Sequence, residues 1–184
     1  SYDIWAILIN SNGEMIWEKS FGGSGIDQAK AVINDFNGNY RIIGSSFSQD
    51  KDISNPKGSS DIWLITIDRY GNLLSEISFG GTDFDSGMAL VESFDKSIFI
   101  VGHSRSFDFD FTYNSGENDI VILHLTSKGK LIQTFSLGGT DDDIANDIIQ
   151  TSKGAILIAG ETRSKNNQFS NNKGDTDIVI SKWR

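Results

Sequence analysis

The chain has 184 residues, of which 38% are hydrophobic and 22% are charged, and this apolar content excludes a disordered chain. Its 25 acidic and 16 basic side chains give a net charge of -9, which argues against a nucleic-acid partner and against docking on anionic membranes. The absence of cysteine excludes disulfide frameworks, thiolate metal sites and cysteine catalysis. The apolar runs are far shorter than the ~20 residues that cross a bilayer, so we expect no membrane insertion.

One sequence pattern recurs with an interval of 58 residues. The dipeptide Asp-Ile begins at Asp3, Asp61, Asp119 and Asp177. The same interval separates the Gly-Gly pairs and the aspartates that follow them, which begin at Gly22, Gly80 and Gly138 and lie at Asp27, Asp85 and Asp143. The chain therefore forms a single region of three repeats, 3–60, 61–118 and 119–176, with a partial fourth at 177–184.

Each repeat predicts four short strands in the same order. The first strand is rich in Ile, Trp and Val and covers Ile4–Ile9, Ile62–Ile67 and Ile120–Leu125. A tight turn and a second strand lead to the Gly-Gly loop, after which the third strand covers Gln28–Asn34, Ser86–Glu92 and Ile144–Gln150. A second tight turn precedes the fourth strand at Tyr40–Ser45, Ile98–His103 and Ala155–Glu161. A long loop then leads to the next Asp-Ile, and no segment shows a helical period.

Four antiparallel strands in a period of this length are typical of a β-propeller blade. The pattern Asp-Ile-Trp-x-Ile-x-Ile-Asp-x-x-Gly, followed by Ser-Phe-Gly-Gly-[Ser/Thr]-x-x-Asp, resembles the β-propeller repeats of secreted and cell-surface bacterial proteins. The best match is 61–81, whereas the third repeat has drifted, with Val121 and Gln133 where the resemblance leads one to expect tryptophan. The resemblance covers nearly the whole chain and implies export and a surface role, without naming a ligand.

We therefore expect an all-β fold, a propeller or an arc of one, built from four-stranded antiparallel blades. Closed rings have about four to eight blades, so three repeats predict either further blades in a larger chain or association of copies into a homo-oligomer. The chain begins at Ser1 within strand-like sequence and without an initiator methionine, which suggests a mature protein or an excised piece.

The Gly-Gly loops and the long loops are expected to share one face of such a fold. The third strand carries small residues and is expected to be innermost, which would place Asp27, Asp85 and Asp143 at the mouth of a central channel on that face. We interpret these aspartates, together with Gly22, Gly80 and Gly138, as structural residues whose carboxylates accept loop N–H groups. The alternative is a Ca²⁺ site, for which the metal candidates are Asp83, Asp85, Asp141 and Asp143; no other cofactor is expected.

The long loops hold the ligand-binding candidates. In the second loop aromatic residues alternate with acids, and the candidates are Phe107, Asp108, Phe109, Asp110 and Tyr113. Such a surface suits stacking on sugar rings or a protein hot spot, and the alternative is packing against the adjacent blade. Asp141 and Asp142 precede the repeated aspartate of the third repeat, the second repeat has Asp83 in addition to Asp85, and the first repeat has Gly25 and Ile26 instead. Asp141 and Asp142 are therefore further candidates, unless they form a solvated acidic loop.

Apolar residues of the long loops, Ile53, Phe111 and Phe169, are predicted to tuck inside as anchors. Trp5 and Trp63 share a repeat position and are predicted to pack between blades.

Catalysis finds little support in the sequence. The two histidines, His103 and His124, stand in no metal-binding pattern, and neither a nucleophile elbow nor a phosphate-binding loop is present. The sequence predicts a non-catalytic binding, adhesion or scaffold module, secreted or on the cell surface, with a glycan or protein ligand on the long-loop face. The alternatives are a carbohydrate-active enzyme that uses loop carboxylates and a purely structural spacer.

Overall fold

The computed structural model describes residues 1–183, which form thirteen strands in four antiparallel sheets. Sheet 1 contains β1 (Ile4–Ile9) and β2 (Met15–Phe21), and sheet 2 contains β3 (Asp27–Asn34), β4 (Tyr40–Ser46), β5 (Asp61–Ile67) and β6 (Leu73–Phe79). Sheet 3 contains β7 (Asp85–Glu92), β8 (Ile98–Ser104), β9 (Asp119–Leu125) and β10 (Leu131–Leu137). Sheet 4 contains β11 (Asp143–Gln150), β12 (Ile156–Thr162) and β13 (Asp177–Trp183).

Helical structure in this part of the chain is confined to one 3-10 turn, Asn167–Phe169. Over residues 1–183, no helix has the length and hydrophobicity that a membrane span requires. The prediction of an all-β chain with antiparallel sheets is therefore confirmed. The sheets have two, four, four and three strands, and over the same residues they do not close into a ring.

The sheets are offset by two strands from the sequence repeats. Sheet 2 takes its first two strands from the first repeat and its last two from the second, and Ser46 lies between its partners Asp27 and Asp61. The long loop is therefore the return between two paired strands, β4 and β5. The Gly-Gly loop is the connection that leaves one sheet and enters the next, so the boundary between sheets falls at this loop.

The sheets pack face to face through alternate residues of the same strands. In β5, Ile62 and Leu64 pack against sheet 3, whereas Trp63 and Ile65 pack in the core shared with sheet 1. Strand side chains alternate between faces, so a strand that is covered on both sides buries consecutive residues. Every residue of β5 is accordingly buried, and the run 62–65 is entirely apolar.

The two repeated tryptophans occupy different environments. Trp63 is 1% exposed and lies in the core between sheets, as predicted. Trp5 is 61% exposed, and its Nε1 donates a hydrogen bond to Glu18 Oε2 at 3.1 Å. The prediction for Trp5 is therefore wrong, because in the described chain no sheet precedes sheet 1 to cover that face.

The third strand of each repeat lies where neighbouring sheets come together. Strand β7 contacts β3 of the sheet before it and β11 of the sheet after it. We call the side of the molecule formed by β3, β7 and β11 the inner edge. Each of these strands carries a register shift, and the one in β7 falls between Gly87 and Ala89.

This bulge brings the inner strand close to the strand beside it. A Cβ placed on Gly102 of β8 would lie 1.9 Å from the carbonyl oxygen of Ser86 in β7. The same approach recurs at the repeat equivalents Gly44 and Gly160. Glycine is therefore needed at this position because the opposing backbone occupies the space of a side chain.

We expect Gly102→Ala to lower the free energy of unfolding by about 3 kcal/mol or more, because the bulge of β7 must move to admit the methyl group. The matched control is Gly154→Ala, a turn glycine with φ of 85° and no atom within 4 Å of an added Cβ. Gly154→Ala should lower the free energy of unfolding by about 1–2 kcal/mol, because alanine is strained in the left-handed backbone conformation. Urea unfolding measures both variants, and equal losses would show that the close approach does not constrain the sheet.

Candidate functional site

Each repeated aspartate forms a clasp that joins the Gly-Gly loop to the end of the following strand. Asp85 accepts hydrogen bonds from the Gly81 N–H at 2.7 Å, from the Ser106 hydroxyl at 2.9 Å and from the Ser104 hydroxyl. Asp27 and Asp143 accept the equivalent three bonds in the other repeats. All three carboxylates are buried, and their bonding supports the structural interpretation of the repeated aspartate.

The acids of the second long loop also accept hydrogen bonds from the Gly-Gly loop. Asp108 accepts the Thr82 N–H at 2.8 Å, and Asp110 accepts the Gly80 N–H at 3.1 Å and the Lys57 ammonium at 2.8 Å. Equivalent bonds run in the first loop from Gly22 and Ser24 to Asp52 and Asp50, and in the third from Thr140 to Asn166. The ligand candidates Asp108 and Asp110 thus direct oxygens toward their own chain.

A second buried carboxylate lies beside each clasp. A Cβ on Gly80 would lie 2.2 Å from Asp61 Oδ1 and 2.8 Å from Asp85 Oδ2, so the first glycine of the pair leaves room for two converging acids. Burial raises the pKa of Asp85 to about 6, and the nearby Asp61 charge adds to that increase. Burial likewise raises the pKa of Asp119 to about 6, with a smaller contribution from Asp143.

The remaining acidic candidates do not assemble into a metal site. Asp142 accepts a hydrogen bond from Asn118 at 2.7 Å and lies 3.6 Å from Arg163 Nη1. Asp83 and Asp141 are exposed and contact their own loops. Among residues 1–183 there is no group of three or more His, Asp or Glu side chains placed to hold a metal ion.

The aromatic side chains of the second long loop point in different directions. Phe111 is fully buried, as the anchor prediction requires, and the equivalent Ile53 is also buried. Phe107, Phe109 and Tyr113 are exposed. Phe109 adopts a left-handed backbone with φ of 50°, a conformation that Lys51 and Asn167 share at the same loop position. A bulky residue is uncommon in this conformation and adopts it at a strain cost.

A groove of about 470 Å³ lies along the inner edge, at the end that carries the Gly-Gly loops and long loops. It is lined by the first residues of β3, β7 and β11 and by the last residues of β4, β8 and β12. Phe47 and Phe84 are partly exposed at its side, with ring centroids 6.0 Å apart and planes inclined by 55°. The groove therefore combines aromatic surface with the polar ends of inner strands.

The groove residues differ from repeat to repeat. One position carries Ser45, His103 and Glu161, and a second carries Lys30, Met88 and Asn146. The glycine that precedes the first of these positions is the same in all three repeats, at Gly44, Gly102 and Gly160. The sheet geometry is thus repeated while the chemistry of the groove changes along its length.

The sequence alone does not place Ser45, His103 and Glu161 in one site. The sequence does contain one indication of the groove. The residue that follows the constant glycine of the fourth strand differs in each repeat. Reading that signal as a groove requires the knowledge that β4, β8 and β12 bring these three residues to the same opening.

The groove lining contains a histidine together with charged groups. Burial lowers the pKa of His103 below its usual value of 6.5, and the Nδ1 atom has no hydrogen-bond partner among the described residues. A neutral imidazole offers one donor and one acceptor. Lys30 and Glu161 add a cation and a carboxylate to the same lining. By contrast, His124 stacks on Phe99 with centroids 4.3 Å apart and is not part of the groove.

No protein-family model matches the sequence. A curated relative, the regulatory protein FlaEY of Caulobacter vibrioides, is 28% identical over 115 residues, which cover 59% of this chain and 12% of that protein. A crystal structure of a protein of unknown function from Bacteroides caccae is similar with a TM-score of 0.51 and 13% identity, over 88% of this chain and 54% of that chain. The chain thus spans about half of the solved protein and a small part of the curated one. The structural likeness concerns the fold alone.

We expect the buried acids to make the protein lose stability as the pH rises from about 4 to 6.5. The pKa of Asp119 is higher in the folded chain than in the unfolded chain, so the folded state holds more protons in this window. Asp119→Asn keeps an acceptor for the Ser115 N–H and should reduce the loss by about 1–3 kcal/mol.

Urea unfolding at several pH values measures this effect. Asp95→Asn is the control, because hydrogen bonds from Ser97 lower the pKa of Asp95. Asp95 therefore changes the pH dependence of stability below pH 4 and not between pH 4 and 6.5. An unchanged pH slope in Asp119→Asn would show that the Asp119 pKa is not raised.

Proposed function

We propose that the chain is a non-catalytic binding module whose inner-edge groove holds a glycan. The observation that carries this proposal is the repeat-to-repeat change of the groove residues on a backbone that does not change. A residue that served the sheet alone would be expected in every repeat, as the clasp aspartates are. Side chains that differ at equivalent positions instead present a sequence of different donors and acceptors to a bound molecule.

The chemistry of the groove suits a sugar chain. The partly exposed rings of Phe47 and Phe84 can stack on the apolar faces of pyranose rings. His103, Glu161 and Asn146 offer the donors and acceptors that sugar hydroxyls require. The combination of aromatic faces with several uncharged and charged polar groups favours a glycan over a purely apolar ligand.

The state of the carboxylates supports binding without turnover. Glycoside hydrolysis uses two carboxyl groups on opposite sides of the scissile bond. Two carboxylates, Glu161 and Asp85, line the groove within the described residues. Asp85 already accepts three hydrogen bonds inside the protein, and it holds the Gly-Gly loop in place. Its structural engagement leaves Glu161 without a free partner acid in the groove.

We further propose that the sheets are blades of a β-propeller. This is supported by the 58-residue repeat, by the face-to-face packing of successive four-stranded sheets and by their contact along the inner edge. In that arrangement the groove opens at the mouth of the central channel. The resemblance to repeats of secreted and cell-surface bacterial proteins supports an extracellular location, where polysaccharides are abundant ligands.

The exposed aromatic residues of the second long loop provide a further contact area for the same ligand. Phe107 and Phe109 are 72% and 66% exposed, and Phe109 has a left-handed backbone conformation. The loop starts where β8 ends, the strand that brings His103 to the groove. A glycan longer than the groove could therefore extend onto these rings.

A glycan array followed by calorimetry with the positive oligosaccharides tests the proposal. The groove variant replaces His103 and Glu161 by serine, the residue that the first repeat carries at this position, so the backbone should tolerate both changes. We expect its affinity to fall at least tenfold, because two hydrogen-bonding groups are lost. Alanine at Phe107, Phe109 and Tyr113 should weaken binding less, and Phe94→Ala at a distant exposed turn should leave it unchanged.

Three outcomes would contradict the proposal in different ways. An array with no bound glycan removes the ligand class. Loss of binding only in the loop variant moves the site to the second long loop. Release of reducing sugar that Glu161→Gln abolishes shows an enzyme in place of a binding module.

A further inference from the structure

A polar pocket of about 150 Å³ lies between sheets 2 and 3, at the end of the molecule that carries the tight turns. It is bordered by the β3–β4 turn, by β5 and β6, and by the turn between β9 and β10. The inner-edge groove opens at the opposite ends of the inner strands. The pocket is therefore a separate site, and what it binds is independent of the proposed function.

The repeat shows what fills the equivalent space between sheets 1 and 2. There the ring of Trp17 in β2 lies against the β5–β6 turn, and a Cβ placed on Gly71 would lie 3.1 Å from its Cε3 atom. The Nε1 atom of Trp17 donates a hydrogen bond to the carbonyl oxygen of Arg69 in the same turn at 3.1 Å. Lys19 covers the turn glycine from the side, because its Cγ would lie 2.9 Å from the same Cβ. A planar ring thus closes the junction between sheets 1 and 2.

A serine stands at the equivalent place in the junction between sheets 2 and 3. Ser75 of β6 follows Trp17 by 58 residues. Ile77 takes the place of Lys19, and among the described residues outside the turn only Ile77 comes within 4 Å of a Cβ placed on Gly129. Both Ser75 and Gly129 line the pocket. The pocket is therefore the space that an indole ring fills one repeat earlier.

A buried arginine gives this space a chemistry that the first junction lacks. Arg41 is 6% exposed and lines the pocket. Its Nη2 lies 3.3 Å from Asp35 and donates a hydrogen bond at 3.0 Å to the carbonyl oxygen of Ser127, the repeat equivalent of Arg69. Arg41 Nε is buried and has no hydrogen-bond partner among the described residues. A guanidinium group keeps its proton, so this N–H is a donor that needs an acceptor.

The acids near Arg41 already have partners, so the groups left over at the pocket are donors. Asp35 accepts two N–H groups of its own turn at 2.8 and 2.9 Å. Glu92 lies 3.8 Å from Arg41 Nη2 and accepts the Phe36 N–H at 2.8 Å. The exposed Lys128 adds a second cation to the pocket lining. A ligand that complements these groups carries an acceptor, and a carboxylate suits two cationic donors best.

We propose that the pocket binds a small aromatic acid. Its ring takes the place that Trp17 fills in the first junction, and its carboxylate accepts the N–H of Arg41 Nε. A cavity of about 150 Å³ is large enough for a benzene ring. The Trp17 ring donates to a turn carbonyl, whereas the equivalent carbonyl of Ser127 is already bonded to Arg41. The ligand that fits therefore presents an acceptor where the indole presents a donor.

Titration with benzoate, followed in amide NMR spectra of the isotope-labelled chain, tests the proposal. We expect saturable shifts at Ser75 and Gly129 and no shift at His103 in the inner-edge groove. Benzyl alcohol has the ring without the carboxylate, and acetate has the carboxylate without the ring. Each should bind at least tenfold more weakly than benzoate, because each satisfies only one half of the pocket.

Three variants locate the binding. Ser75→Trp fills the pocket with the ring of the previous repeat and should lower benzoate affinity at least tenfold. Ile132→Trp places the same ring on the exposed side of β10 and should leave the affinity unchanged. Arg41→Lys keeps a positive charge beside Asp35 but removes the Nε donor, so benzoate should then bind no better than benzyl alcohol. Circular dichroism checks that each variant is folded, and Ser75→Trp and Arg41→Lys test the site through different atoms.

Several results would overturn the proposal. An absence of saturable shifts with benzoate assigns the pocket to water alone. Equal affinities for acetate and benzoate show that the ring is not recognised. Benzoate affinity that is unchanged in folded Ser75→Trp, or in folded Arg41→Lys, shows that the acid binds elsewhere. Because none of these measurements uses a glycan, they leave the proposed function to its own test.

Discussion

The hydrogen bonds of one buried aspartate in each repeat hold the rest of the structure in place. Asp85 bonds the Gly81 N–H and two hydroxyls, and so fixes the loop that crosses from sheet 2 to sheet 3 against the end of β8. The crossing leads into β7, and β7 contacts strands of both sheet 2 and sheet 4. A buried carboxylate is costly unless its oxygens are bonded, which explains why donors surround it in every repeat.

This arrangement also separates the residues that hold the sheets together from the residues that line the groove. Three features recur almost unchanged in each repeat: the aspartate clasp, the glycine found in β8 and the bulge found in β7. The adjacent groove residues differ between repeats. Ser45, His103 and Glu161 each follow a constant glycine. A repeated frame with variable side chains at one opening lets a single fold offer different contacts along one groove.

The sequence was sufficient to predict the strands, because alternating apolar runs and turn glycines are local signals. Trp5 shows the limit of a repeat argument, since its equivalent Trp63 is buried only because another sheet covers it. Asp108 and Asp110 show a second limit, because their loop composition suggested a ligand while their bonds run to Thr82 and Gly80. The groove could not be located from the sequence, as it depends on which strand ends the sheets bring together.

The two-strand offset between repeat and sheet has a mechanical consequence. The junction between the first and second repeats lies in the long loop, yet the strands on either side of it, β4 and β5, are paired at seven positions from Tyr40 with Ile67 to Ser46 with Asp61. A pulling force therefore cannot draw neighbouring repeats apart by straightening a linker. It must break a complete ladder of backbone hydrogen bonds. Neighbouring repeats therefore separate under force only when a whole strand is detached from its sheet.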